Sequence, residues 1–172
     1  PAALEASDGL VARYVHNRVA DGLGKIGVIV ALQSKGAADS LAEIGRQIAL
    51  HIAAANPQAV SPDDLDKAVV ERERQGYLEQ AKPSGNPARI VEKMVEGRLR
   101  QEFFAQVVLA QQVFFGPGGD GKMTVEQYLK GAEKVAGAPV KVTGFRRYAL
   151  GEGIDKKTDD FASEVAKLTK GG

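Results

Sequence analysis

The sequence predicts an α+β fold: a small antiparallel sheet packed with helices, and an antiparallel helical hairpin that projects from it. Residues 10–17 and 25–33 are apolar, rich in β-branched side chains, and separated by turn residues, which is typical of two paired strands. Two long segments with helical periodicity follow, joined by a short loop that contains Pro and Gly. A third strand pattern covers residues 140–150.

The composition excludes several classes of protein. The chain has 172 residues, 44% of them apolar and 26% charged, which suits one globular domain or a domain with an appendage. It contains 0 Cys, so disulfides and thiolate metal sites are excluded. We expect a cytoplasmic protein that contacts no membrane, because no apolar run reaches the ~18 residues of a membrane span. The net charge of +1 does not indicate direct nucleic-acid binding.

The first two strands predict a hairpin, because the turn-forming run Asp21-Gly22-Leu23-Gly24 lies between them. The second strand is apolar on both faces, which indicates a central strand. Ser40 and Glu43 have the spacing of a capping box and predict the start of the first helix. Asn56-Pro57 predicts its end.

The projecting hairpin is predicted from two caps and one short loop. Ser61-Pro62-Asp63-Asp64 should open its first helix, which runs to about residue 82. The loop 83–86 leads to a second helix that starts at Asn86-Pro87. Two helices joined by so short a loop lie antiparallel. Gly97 interrupts the second helix at a cost of about 1 kcal/mol, so we expect another group to come close to it.

After the hairpin, Gly116-Pro117-Gly118-Gly119-Asp120-Gly121 predicts an open loop, and Thr124 and Gln127 form a second capping-box pattern. That helix should stop near Gly137. The third strand should place Val140, Val142, Tyr148 and Leu150 on one face, with a bulge at Arg146-Arg147. A turn at 151–153 and a last helix from Thr158 complete the chain.

We therefore predict three parts: a core of residues 8–57 and 137–155, an inserted helical hairpin region of residues 58–136, and a helical module of residues 156–172. The hairpin region is also where a homodimer could form.

Residues able to carry chemistry are few, which favours a binding protein over an enzyme. His16 and His51 are 35 positions apart with no partner pattern, and each is more often a structural or surface residue. No metal-ligand spacing occurs, and we predict no cofactor.

The Gly-rich loop differs from a phosphate-binding loop because Lys122 is followed by Met123. The Arg146-Arg147 pair is better explained as an edge-strand pair facing solvent. The pairs Phe103-Phe104 and Phe114-Phe115 are predicted to be core.

Five ordered stretches resemble translation elongation factor Ts, the guanine-nucleotide exchange factor for elongation factor Tu. Residues 90–103, from Ile90-Val91-Glu92-Lys93-Met94-Val95-Glu96-Gly97-Arg98, resemble the return helix of that family's coiled coil. The other four are Tyr14-Val15-His16 with residues 26–30; residues 48–54; residues 142–154, containing Val142-Thr143-Gly144-Phe145-Arg146; and residues 159–166.

The resemblance implies a partner and contact residues. It implies that Tyr14, His16 and His51 lie on the side that meets the third domain of Tu, and that Phe161 and Val165 meet its nucleotide domain. The family's amino-terminal domain and its Thr-Asp-Phe-Val motif, which displaces Mg²⁺, have no match here. Together with the start at Pro1 in place of Met, this predicts a carboxyl-terminal portion of a Ts protein.

Two alternatives remain open at this stage. One is a scaffold module that self-associates through the hairpin and has no exchange activity. The other is an uncharacterised enzyme that uses His16.

Overall fold

A computed structural model describes residues 4–6, 8–20 and 23–152 of the chain. It confirms the α+β class. Strands β1 (Gly9–Ala20) and β2 (Leu23–Gln33) form an antiparallel hairpin, and β3 (Lys141–Ala149) pairs antiparallel with the other edge of β2. The sheet order β1-β2-β3 confirms that β2 is central. The unbroken apolar run of β2 predicted this central position, although Ile26 and Ile29 remain partly exposed.

Helix α1 (Ala38–Ala55) covers one face of the sheet. Its apolar stripe packs on the inward side chains of β2 to form the main core, together with helix α5 (Val125–Ala136). The fully buried members include Val30, Leu32, Ile48, Ile52 and Val125. The prediction that Asn56 ends α1 is confirmed, since Asn56 adopts a left-handed φ of 48° and donates its N–H to the Ile52 carbonyl.

The predicted start of α1 is wrong. The helix begins at Ala38, and its N-cap residue Ala37 makes no side-chain cap. Ala37 instead donates its N–H to the Ala136 carbonyl at the end of α5, 3.0 Å away. Ser40 lies inside the first turn and its hydroxyl donates to the Val135 carbonyl. A contact between helices therefore fixes this helix end, and no local capping box does so.

The helical hairpin consists of α2 (Lys67–Ala81) and α3 (Ala88–Arg98). The two helices are antiparallel and have their own small core of Ala81, Val91, Val95 and Leu99. The predicted start of α2 at Ser61 is wrong. Pro62–Asp64 is a separate 3₁₀ turn, and α2 begins six residues later, where the Asp66 carboxylate accepts the Ala68 N–H at 2.8 Å. A second 3₁₀ turn, Lys82–Ser84, follows α2.

Helix α3 continues into a π-helical segment, Leu99–Phe104, and a short last turn, α4 (Ala105–Val107). A π-helical turn inserts residues into the helix and rotates the face that follows. Here it lets Phe103 and Phe104 contact both the hairpin core and a second cluster at the hairpin base. That second cluster contains Ala59, Leu65 and Val108. The two phenylalanines thus connect the hairpin to the body.

The remaining connections are a 3₁₀ turn at Leu109–Gln111 and the loop to α5. The α5 capping box is confirmed: Thr124 and Gln127 exchange hydrogen bonds between side chain and backbone, and Gly137 ends the helix with φ of 77°. The three-part division remains a prediction. The structure adds that α5, which that division places with the hairpin, packs on α1. Within the described residues, no helix is both long and apolar enough to cross a membrane.

The predicted bulge in β3 is at the wrong place. Ala31 pairs with Gly144 and Leu32 with Val142, so the extra residue is Thr143. The bulge reverses the alternation of faces beyond it. Tyr148 and Leu150 are therefore exposed, although they share parity with buried Val142.

Candidate functional site

Tyr14 and His16 of β1 form a hydrogen-bonded pair at the surface. They are two residues apart in a strand and therefore lie on the same face. The Tyr14 hydroxyl lies 3.1 Å from Nδ1 of His16, and the two rings are 6.1 Å apart and tilted by 32°. Tyr14 packs partly on the main core, whereas His16 is exposed. The core therefore holds the tyrosine, and the tyrosine orients a histidine that presents polar atoms to solvent.

His51 lies in a different environment. It is fully buried in the last third of α1, so its side chain offers no surface. Its Nδ1 accepts the backbone N–H of Phe115 at 3.0 Å, and its Nε2 lies 2.9 Å from Oε1 of Gln112. The ring stacks on Phe114 at 5.8 Å. These contacts fit the prediction that His51 is a structural residue. Because its side chain is buried, it can affect a partner only through the loop that it holds.

The hydrogen bonds fix the protonation of His51. Because Nδ1 accepts a backbone N–H, it carries no proton, and Nε2 must be the donor to Gln112. The Gln112 amide is oriented in turn, since its nitrogen donates to the carbonyls of Gln106 at 2.6 Å and Ala55 at 3.4 Å. Burial lowers the pKa of His51, and the hydrogen bond to Gln112 opposes this only in part. The ring is held neutral.

The loop above His51 separates the two residues of the Phe114-Phe115 pair. Phe114 is buried, as predicted, between α1 and α5, where its ring stacks at 3.9 Å on Tyr128. Phe115 is 63% exposed, so the prediction of core is wrong for this residue, and its neighbour Val113 is 51% exposed as well. Sequence reasoning missed Gln112 and this loop. The signal was Gln111-Gln112, a polar pair inside an otherwise apolar run.

The two histidines do not form one site. No hydrogen bond among the described residues joins them, since His16 bonds to Tyr14 and His51 bonds across to residues 112–115. Phe161 and Val165, the other two predicted contact residues, lie outside the described residues, as does the predicted last helix from Thr158.

Arg147 does not face solvent as predicted. Its side chain is 14% exposed and donates to the Ala53 carbonyl near the end of α1, 3.4 Å away, and it pairs with Glu152. The displaced bulge turns this residue inward. Arg146, by contrast, is exposed. The prediction that both arginines face solvent is therefore wrong for Arg147 and confirmed for Arg146.

The Gly-rich loop is a surface loop organised by its own aspartate. The Asp120 carboxylate accepts the backbone N–H groups of Lys122 and Met123, and these bonds lower the pKa of Asp120. A carboxylate at the centre of the loop disfavours phosphate. Within the described part of the chain, no group of three or more His, Cys, Asp or Glu side chains is placed to hold a metal ion.

A groove of about 790 Å³ lies between the start of α5, the start of β3 and the 3₁₀ turn at Pro62–Asp64. Its floor is apolar, with Val60, Leu109 and Val142, and its rim carries charges. Neither histidine lines it. It therefore gives no support to an enzyme that uses His16.

The hairpin presents an apolar strip. Ile90 and Met94 are one helical turn apart on α3 and 42% and 40% exposed. Gly97 continues the strip, and a Cβ placed there would meet nothing within 4 Å. Among the described residues, therefore, no group comes as close to Gly97 as the expectation from the sequence requires. Arg98, one residue further, lies 4.3 Å from the centroid of the Tyr77 ring and ties α3 to α2.

Comparisons with known proteins agree with these features. A family model described as "Elongation factor TS" matches residues 2–152. Elongation factor Ts of Allorhizobium ampelinum is 54% identical over 169 residues, which cover 98% of this chain and 53% of the relative. The Bartonella quintana protein of that name is 52% identical over 170 residues (99% and 54%). That of Parvibaculum lavamentivorans is 54% identical over 168 residues (98% and 53%). The chain spans about half the length of the curated relatives it matches.

Proposed function

This chain belongs to the elongation factor Ts family, and from that membership we propose that it acts in translation elongation as a guanine-nucleotide exchange factor for elongation factor Tu. In this proposal it works in the cytoplasm as a binding protein and not as an enzyme, with no cofactor of its own. An exchange factor binds the nucleotide-free state of its partner more tightly than the loaded state. It therefore needs an interaction surface more than a nucleophile.

The observation that carries the proposal is the Tyr14–His16 pair. An exposed histidine fixed by a tyrosine at 3.1 Å is a preorganised polar contact, because little side-chain freedom is lost on binding. We propose that these two residues contact Tu directly and that His51 contributes indirectly, by holding the loop of residues 112–116. Phe161 and Val165 are proposed as a second contact.

Binding and GDP release test this proposal. In the first experiment, capture of Tu on this chain measures binding. In the second, Tu loaded with a fluorescent GDP is mixed with the chain in a stopped-flow instrument, and the release of GDP is followed. We expect binding. Because these 172 residues contain no Thr-Asp-Phe-Val segment, we expect weaker acceleration of GDP release than a full-length relative gives. Absence of binding would overturn the proposal. Acceleration equal to that of the full-length relative would show that the segment is dispensable.

A second candidate is self-association through the hairpin, as a scaffold or as a dimer that also binds Tu. The exposed strip of Ile90 and Met94 beside Gly97 favours it, since a glycine with open space lets a second helix approach closely. Analytical ultracentrifugation over a range of concentrations tests it. A single monomeric species at the highest concentration would exclude it.

A further inference from the structure

The contacts of His51 hold the loop of residues 112–116 against α1 in only one protonation state. The loop is held by two hydrogen bonds to the ring, one from the Phe115 N–H to Nδ1 and one between Nε2 and the Gln112 side chain. Both bonds are satisfied when the ring is neutral and carries its proton on Nε2.

A proton on Nδ1 would conflict with this arrangement. It would point at the Phe115 N–H, so two donors would face each other across 3.0 Å. The charged ring would also be fully buried, and an unpaired buried charge is strongly unfavourable. Protonation of His51 and the closed loop therefore exclude each other, and a protonated ring is relieved only by release of the Phe115 backbone or exposure of the ring.

Among the described residues, no carboxylate is hydrogen-bonded or ion-paired to the His51 ring, whose polar partners are Gln112 and Phe115. On α1, the Glu43 carboxylate is bonded to Arg46 and Gln47. On α5, the Tyr128 ring stacks on Phe114. On β3, Arg147 bonds the Ala53 carbonyl and Glu152. The loop itself contributes the neutral amide of Gln112 and the Phe114 ring.

We propose that His51 and Gln112 form a proton-sensitive latch: neutral His51 holds residues 112–116 closed on α1, and protonation of His51 releases them. The exposed side chains Val113 and Phe115 move with the loop. Gln112 acts as the positioning residue, since its bonds to the Gln106 and Ala55 carbonyls fix the acceptor for Nε2. The latch does not depend on the proposed partner, and it makes the surface around Phe115 responsive to pH.

Hydrogen exchange of the Phe115 amide, measured by NMR on the whole chain from about pH 7.5 to about pH 5, tests the latch directly. The quantity compared is the protection factor, which removes the intrinsic pH dependence of exchange. We expect the Phe115 protection factor to fall by up to about tenfold per pH unit below the ordinary histidine pKa of about 6.5. The amide of Val30 in central strand β2 opens only with the whole fold and should stay more protected than the Phe115 amide at every pH.

Matched variants assign the effect. His51→Gln offers an amide oxygen and an amide nitrogen without a titrating group, so its Phe115 protection should not depend on pH. His16→Gln makes the same change at the exposed histidine and should leave the pH dependence as in wild type. Persistence of the pH dependence in His51→Gln, no change in wild type, or Phe115 protection equal to that of Val30 would each overturn the latch.

The wild-type protein provides a second measurement if His51→Gln does not fold. Nitrogen-15 spectra of the histidine rings report which ring nitrogen of His51 carries the proton. We expect the Nε2–H form near neutral pH and a doubly protonated ring on acidification, with a midpoint at the pH where Phe115 protection is lost completely. A ring that becomes doubly protonated while the Phe115 amide stays protected would overturn the latch.

Discussion

Gly45 of α1 lies directly against Ala12 of β1: a Cβ placed on Gly45 would be 2.5 Å from the Cβ of Ala12. The two residues bring the helix axis and the strand closer than any side chain between them would allow. Both are in the layer that joins α1 to the sheet, and Ala12 is buried in the main core. This contact sets the height of α1 above the strand that carries Tyr14 and His16.

Gly45→Ala should therefore destabilise the protein. Alanine is favoured over glycine in a helix by about 1 kcal/mol, but overpacking a tight core costs about 1–3 kcal/mol and should outweigh it. We expect a lower urea midpoint with an unchanged denaturant slope. A variant at least as stable as wild type would mean that α1 shifts without cost.

Gly97→Ala is the matched substitution in an open helical position and should have the opposite sign. The added methyl group meets nothing within 4 Å, so only the helix propensity changes. We expect a gain of about 0.5–1 kcal/mol in the same urea titration. In sedimentation experiments, the same variant should weaken any self-association through α3, because a second helix could no longer come as close.

Leu99→Ala should loosen the hairpin and leave the sheet intact. Leu99 is fully buried, but it belongs to the small core between α2 and α3 and not to the main core. Removing a buried leucine costs about 2–5 kcal/mol. Hydrogen exchange should show faster exchange throughout α2 and α3 and little change in β2. Leu32 is equally buried but lies in the main core, so Leu32→Ala should accelerate exchange everywhere. The same exchange pattern in both variants would show that the hairpin and the body unfold as one unit.

Acidification should destabilise the fold through His51. Burial lowers its pKa in the folded state, so the unfolded chain binds the proton more tightly. Above the unfolded pKa of about 6.5 the residue is neutral in both states and has no effect. As the pH falls below that value, stability falls by up to about 1.4 kcal/mol per pH unit until the folded pKa is reached. Urea unfolding of wild type and His51→Gln at several pH values should show this loss in wild type alone.

His16→Ala should weaken the proposed binding to Tu by about 1–2 kcal/mol, the size expected when an interface hydrogen bond is lost. Tyr14→Phe removes only the hydroxyl that orients His16 and should give a smaller loss in the same direction. Titration calorimetry with nucleotide-free Tu measures both. Unchanged affinity in His16→Ala would remove this pair from the proposed contact, while circular dichroism of each variant verifies that the fold is retained.

The sequence by itself predicted the elements whose signals are local. The apolar run of β2 identified a central strand, the Thr124–Gln127 spacing located the start of α5, and Asn56 located the end of α1. At the two helix ends the determining contacts lie within a few residues along the chain, whereas β2 was identified by its composition and its partner β3 is distant in sequence. The antiparallel hairpin was predictable for the same reason, since a short loop leaves two helices no other arrangement.

Tertiary structure decided the features that depend on contacts between residues far apart in the chain. The start of α1 depends on the Ala136 carbonyl at the end of α5, so the Ser40 pattern was misleading. The position of the bulge at Thr143 depends on the pairing of β3 with β2. The bulge turns the Arg147 side chain inward. His51 and Phe115 are 64 positions apart and meet only because the loop before α5 packs on α1. A local pattern records which conformations a segment can adopt, but which groups are buried and bonded depends on the segments that fold against it.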